Sequence, residues 1–247
     1  DVERSRGLGD VYKRQNITSI INICSDSSAH TRGLSLKKRY PWIHNAGGTH
    51  PHDTAERGLS EYVYFEKAAK SGELIAIGEI GLDYYRLHSP KSVQAEYMKK
   101  YIALAIRENL PVIFHCREAF SDLFGICDEC FPNSDGRVVV HCFTGSFDEA
   151  RSALDRGWYL SISGIVTFKN SGFLRDIVAK IPIDSLLLET DCPYLSPGKY
   201  RGKRNEPAWM TETAKVCAAI QNCNVEELAR ATSYNAKKIF QIEKKIL

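Results

Sequence analysis

From Ile17 onward, short β-branched and apolar runs alternate with stretches of helical periodicity. The runs predict seven strands, near 17–24, 42–48, 74–80, 111–116, 137–142, 158–163 and 186–191. Helices are predicted between them near 30–39, 57–71, 92–109, 118–130, 146–156 and 171–180, with two more near 206–221 and 225–241. Alternation without long linkers argues for a parallel sheet whose crossovers are helices. Pro111 opens its strand, where a missing N–H costs least. Ser146 and Asp148 are positioned to cap the helix that follows.

Four of the apolar runs end on a side chain that can bind a metal: Ala76-Ile77-Gly78-Glu79, Val112-Ile113-Phe114-His115, Val139-Val140-His141-Cys142 and Leu187-Leu188-Glu189-Thr190-Asp191. Regular strands alternate faces, so His115 is expected to share a face with Ile113, His141 with Val139, and Glu79 with Ile77. Each polar group then tops an apolar interior stack. A single histidine at a strand end is more often a hydrogen-bonded structural residue than a ligand, but four such positions on four strands reverse that preference. The pattern predicts a metallohydrolase on an α/β TIM (β/α)8 barrel, with its chemistry at the C-terminal ends of the strands. Seven strands are one short of closure, and the missing first strand is expected at the N-terminus. An unclosed barrel would leave the 17–24 and 186–191 strands as edges. A doubly wound open sheet is the alternative fold; against it, no glycine fingerprint follows a first strand.

Residues 1–15 show neither periodicity. Within them Asp10-Val11-Tyr12-Lys13-Arg14-Gln15 resembles one reading frame of a transposon mosaic-end adapter. This segment is expected to be non-native or disordered, and residues 16–247 to form a single domain.

The composition narrows the setting only slightly. The 33 basic residues nearly balance 30 acidic ones, so the net charge of +3 permits a polyanionic partner without requiring one. No apolar run approaches a membrane span and no secretory signal is evident, so a soluble cytoplasmic protein is expected. The eight cysteines read as reduced thiols, since Cys116, Cys142 and Cys192 adjoin candidate site residues, and the Cys127/Cys130 pair has no second pair at zinc-site spacing.

Glu79, His115, His141 and Asp191 supply two carboxylates and two imidazoles, a set suited to zinc, manganese or magnesium. Asp191 can either bind the metal or orient an attacking water and pass its proton to the leaving group. Glu189 has the parity of Asp191 one layer deeper, where an ionised carboxylate needs a partner, so structural pairing is its expected task.

These segments resemble the TatD family of metal-dependent hydrolases, which includes deoxyribonucleases and uses an amidohydrolase-like TIM barrel. The resemblance runs from about Ile17 to Ile242. It is carried by Gly48-Thr49-His50-Pro51-His52, Gly78-Glu79-Ile80-Gly81-Leu82-Asp83-Tyr84, His115-Cys116-Arg117-Glu118-Ala119, His141-Cys142-Phe143-Thr144-Gly145, Glu189-Thr190-Asp191-Cys192-Pro193-Tyr194-Leu195 and Arg201-Gly202-Lys203-Arg204-Asn205-Glu206-Pro207. The resemblance implies that Glu79 bridges two divalent ions, that His115 and His141 hold one of them, and that Asp191 contacts the other and serves the attacking water. The HxH pair usual on the family's first strand is not found there, so one or two metal ions remain open. His50 and His52 match a separate family segment and read as loop-shaping or substrate-side residues rather than as the missing ligands.

On the substrate side, Lys199, Arg201, Lys203 and Arg204 cluster beyond the Asp191 strand with Tyr200 interleaved and Asn205 next. Such a loop suits phosphates. Tyr84 is a further candidate contact. Arg117 either anchors a phosphate bidentately or pairs with Glu189. Together these features predict hydrolysis of phosphodiester bonds in DNA from a strand end. Two alternatives stand beside that reading: cleavage of a small amide, ester or D-aminoacyl-tRNA, and non-catalytic metal-dependent DNA binding.

Overall fold

The computed structural model describes residues 17–131 and 136–242; the expectation for residues 1–15 lies outside them. Strands β1 (Ile20–Cys24), β2 (Ile43–Gly47), β3 (Ala76–Asp83), β4 (Val112–Arg117), β5 (Val138–Val140), β6 (Tyr159–Ile162) and β7 (Leu186–Leu188) lie side by side in chain order. Every neighbouring pair is parallel. Strictly sequential order is the order of a TIM barrel, whereas a doubly wound sheet reverses direction midway. Among the described residues β1 and β7 are the two edges of the sheet.

Eight helices accompany the strands among the described residues: α1 (Ser27–Arg39), α2 (Thr54–Lys70), α3 (Lys91–Arg107), α4 (Phe120–Cys130), α5 (Phe147–Asp155), α6 (Gly172–Val178), α7 (Met210–Ile220) and α8 (Val225–Phe240). Their starts follow local chemistry. Asp26 caps α1, and reciprocal capping boxes open α5 (Ser146 with Glu149) and α8 (Asn224 with Glu227). Asp148, expected to help cap α5, instead pairs with Arg151.

Alternation along the strands divides the core into two layers. Phe65, Ile80, Leu82, Ile102, Phe114, Val140 and Trp158 pack between sheet and helices. Ala46, Ala76, Ile113, Val139, Tyr159 and Leu187, one from each strand β2 to β7, fill the inner face, where Ile239 and Phe240 of α8 join them. Each fully buried large aliphatic side chain contributes about 1.5–3 kcal/mol. This inner stack is the floor on which the polar strand ends stand.

One expectation about faces is corrected. Ile113 and Val139 do lie on the inner face below His115 and His141, but Ile77 belongs to the outer layer. The register of β3 on β4 explains the difference: Ile77 pairs with Val112 and Ile80 with Phe114, so β3 carries one extra residue. A bulge of this kind inverts parity. Glu79 therefore turns inward although Ile77 and Ile80 both turn outward, and Gly81 and Asp83 follow Glu79 onto the inner face.

No described helix is long and apolar enough to cross a membrane. All eight cysteines are free.

Candidate metal centre

Glu79, His115, His141 and Asp191, distant in sequence, meet at the C-terminal rim of the sheet. The Glu79 Oε1 atom is the hub. It lies 2.7 Å from His115 Nδ1, 3.5 Å from His141 Nε2 and 3.6 Å from His50 Nε2. Asp191 Oδ1 is 3.8 Å from the same His141 nitrogen. All these side chains are partly buried, so their charges are weakly screened.

Local backbone geometry delivers them. His141 stays in the ladder one residue past β5 through its N–H to the Phe114 carbonyl (2.9 Å), and Glu189 does so past β7 through Ile162 (3.1 Å). Glu118, Cys142 and Asp191 take left-handed backbone with φ of 54°, 46° and 55°. Such strain, about 1–3 kcal/mol each for non-glycine residues, concentrates at functional rims.

Both site imidazoles are gripped from behind by carboxylates. His141 Nδ1 is 2.9 Å from Glu189 Oε2. His115 Nε2 is 3.1 Å from Asp83 Oδ2, which is also 2.8 Å from His52 Nε2. Asp83 is 1 % exposed, and its other oxygen accepts the Arg86 backbone N–H at 2.8 Å. A carboxylate on the remote nitrogen fixes ring orientation and leaves the other nitrogen facing the centre. Sequence reading missed this role for Asp83. Its signal was parity with Glu79 on the bulged strand. Asp83→Asn is expected to weaken divalent-cation affinity by about 10- to 100-fold, measured by calorimetric titration, because such partners carry that share of binding.

The electrostatics follow from this crowding. Burial works to raise the Glu79 pKa, but His141, His115 and His50 hold it well below the usual carboxylate range. Burial likewise opposes ionisation of Asp83, yet bonds from His115, the Arg86 N–H and His52 keep it low. For His141 burial lowers the pKa, and Glu189, Glu79 and Asp191 outweigh it, pushing it up to about 10. Burial pushes Asp191 up to about 6, with Glu189 and Glu79 adding to burial and His141 opposing it.

With His141 pushed up to about 10 and Asp191 to about 6, the metal-free protein is expected near pH 8 to hold a proton on His141 and none on Asp191. A cation that takes His141 as a ligand must displace this proton. Burial lowers the His115 pKa as well, but Asp83 and Glu79 outweigh it and raise it. Binding near pH 8 is therefore expected to release protons from the liganding imidazoles, read from the buffer dependence of the calorimetric enthalpy, and His141→Ala is expected to reduce that release. Both folded-state pKa values are raised. The stability that His141 contributes to the metal-free protein is thus full below its unfolded value of 6.5 and is lost as pH rises through about 10.

The donor set fits a divalent cation. Ligand atoms of His50, Glu79 and His115 lie within 4.8 Å of one another, as do those of His141, Cys142 and Glu189. Imidazole and carboxylate donors suit zinc, manganese or magnesium. His50, read from sequence as a loop or substrate-side residue, thus stands within the cluster, while His52 stands one shell out on Asp83 and 4.7 Å, ring to ring, from His88.

The remaining candidates are placed less centrally. Arg117 does not pair with Glu189, whose partner is His141; it is exposed, with its guanidinium 3.8 Å above the Tyr85 ring. The reason is positional: Arg117 is the last residue of β4, two beyond His115, while Glu189 lies beneath the centre. Tyr84 donates its hydroxyl to Asp122 at 2.6 Å and lies under the Lys91 ammonium. Asn205 is buried, donating to the carbonyls of Thr190 (2.7 Å) and Tyr194 (2.6 Å), so its amide braces the loop after β7. Arg204 and Lys203 are exposed, Lys199 pairs with Glu212, and Arg201 lies 3.7 Å above the Phe168 ring.

Known proteins share this arrangement of chain and fold. A family model described as TatD related DNase matches residues 3–241. The chain is 38 % identical over 230 residues to the uncharacterized metal-dependent hydrolase YabD of Bacillus subtilis, covering 93 % of this chain and 90 % of that one. It is 35 % identical over 217 residues to a 3'-5' ssDNA/RNA exonuclease TatD of Erwinia tasmaniensis, covering 85 % and 83 %. The crystal structure of YjjV, a TatD homolog from Escherichia coli, superposes with a TM-score of 0.85 at 27 % identity, covering 93 % of this chain and 88 % of that one. With the hub at the rim of a parallel barrel and these relatives across nearly its whole length, the chain belongs to the TatD family of metal-dependent hydrolases.

Proposed function

We propose that this protein is a divalent-metal-dependent phosphodiesterase that removes nucleotides from the end of single-stranded DNA. The observation that carries the reading is the Glu79 oxygen ringed by three imidazole nitrogens within 3.6 Å, with Asp191 beside His141. Glu79, His115 and His141 are the proposed ligands, with His50 within reach. When bound there, a divalent cation supplies a nucleophilic water near neutral pH and polarises the phosphoryl oxygen. Asp191, with a pKa of about 6, is matched to take a proton from the attacking water and return it to the leaving oxygen as the old P–O bond breaks.

Two further observations favour a nucleic-acid substrate. A relative of 35 % identity is named as an exonuclease on single-stranded DNA and RNA. The loop after β7 carries exposed Lys203 and Arg204, which can neutralise phosphates of a trailing strand. The test is release of mononucleotides from end-labelled single strands in manganese, beside a panel of amides, esters and D-aminoacyl-tRNA. Metal-dependent laddering from one end supports the proposal. Turnover confined to the amide or ester substrates contradicts it.

A further inference from the structure

Two large aromatic rings stand open at the rim although the backbones that carry them are locked. Tyr85 is 54 % exposed and Tyr194 is 70 % exposed. The turn bearing Tyr85 is held by the buried Asp83 carboxylate, which accepts the Arg86 N–H, and by the Tyr84 N–H on the Arg117 carbonyl at 2.9 Å. The turn bearing Tyr194 is held by its own N–H on the Asp191 carbonyl (2.8 Å) and by the buried Asn205 amide on the Tyr194 carbonyl. Tyr85 follows Asp83 by two residues and Tyr194 follows Asp191 by three, so both rings are carried on turns that leave the rim at residues of the centre. An aromatic ring held rigidly but left in water is pre-organised for a stacking partner.

Arg117 adds to this. Its Cα is the register partner of Asp83, and it stands two residues, roughly 6.6 Å, beyond His115 along β4. The planar Arg117 guanidinium stacks on one face of Tyr85 at 3.8 Å, with the Arg86 guanidinium 5.8 Å from the same ring. A base can therefore stack on the flat outer side of the Arg117 guanidinium itself, which tolerates any base and attracts the adjoining phosphate.

Resting on the phosphodiesterase reading above, we propose that Tyr85 with Arg117, and Tyr194, form two stacking platforms that receive unpaired nucleobases on either side of the scissile phosphodiester. Such platforms require bases free of their duplex neighbours, so the site selects single strands and frayed ends, without regard to sequence.

The test compares an oligothymidylate with the same strand carrying abasic residues at its last two positions. Tyr85→Ala and Tyr194→Ala are each expected to raise KM for the normal strand about tenfold, the size of one lost stack, with kcat held within about twofold. Neither variant is expected to change KM for the abasic strand, which lacks both stacks and which the wild type should itself bind about a hundredfold more weakly. Tyr194→Trp is expected to restore the wild-type value. Tyr234→Ala, which removes a ring 68 % exposed on α8, serves as the control and is expected to leave both strands unaffected. Equal losses on both strands, or none on either, overturn the platforms while leaving the phosphodiesterase reading intact. If the wild type cleaves neither strand in manganese, the phosphodiesterase reading falls and takes the platforms with it.

Discussion

Replacing Glu79 by alanine is expected to lower kcat/KM for strand hydrolysis by roughly a thousandfold or more, since one carboxylate oxygen lies against all three imidazoles of the centre. His115, His141 and His50 all face that atom within 3.6 Å. Without it the two imidazoles held by Asp83 and Glu189 keep their orientation but lose the carboxylate between them, leaving Asp191 beside His141. His141→Ala should lose a comparable factor, whereas His52→Ala, one shell removed, should lose about 10- to 100-fold. Steady-state rates with end-labelled single strands in manganese provide the measurement. A Glu79→Ala enzyme within tenfold of wild type contradicts the assignment.

The second large effect falls on folding. Gly81 sits in the middle of β3 opposite His115, with a φ of 136°. A Cβ built there overlaps the His115 carbonyl oxygen and comes within 3.2 Å of its backbone nitrogen. Neither obstacle can move without displacing β4 and the His115 side chain it carries. Gly81→Ala is therefore expected to destabilise the protein by about 3–5 kcal/mol, combining the glycine-only conformation with backbone overlap. Chemical denaturation compared with wild type measures it. A loss below about 1 kcal/mol would mean that β3 and β4 are not packed as described.

Much of this architecture was legible beforehand because the barrel writes two simple periods into the chain. The seven strands fell where the β-branched runs stand, and their parallel order followed from helices separating every pair. The convergence of Glu79, His115, His141 and Asp191 was legible because polar groups at successive strand ends have no other shared explanation. What escaped depended on departures from regularity. The extra residue in β3 could not be counted from alternation, although Gly78 and Gly81 within one strand signal a bulge or a close backbone approach. Asp83 shares the parity of Glu79 but lay beyond the predicted strand end at residue 80, while β3 runs on to it. The pairing with Glu189 that stood as one of two readings of Arg117 is taken instead by His141, because depth along the strand, not parity, decides which cation a buried carboxylate meets. Asn205 read as a substrate contact from its basic neighbours, while its amide closes the loop onto Thr190 and Tyr194.

The most direct test of the centre itself is anomalous diffraction from crystals soaked in manganese. The arrangement predicts a strong peak enclosed by Glu79, His115, His141 and Asp191 at the C-terminal rim, absent in Glu79→Ala. A fully occupied peak elsewhere, with these four side chains still bonded only to one another, would contradict it.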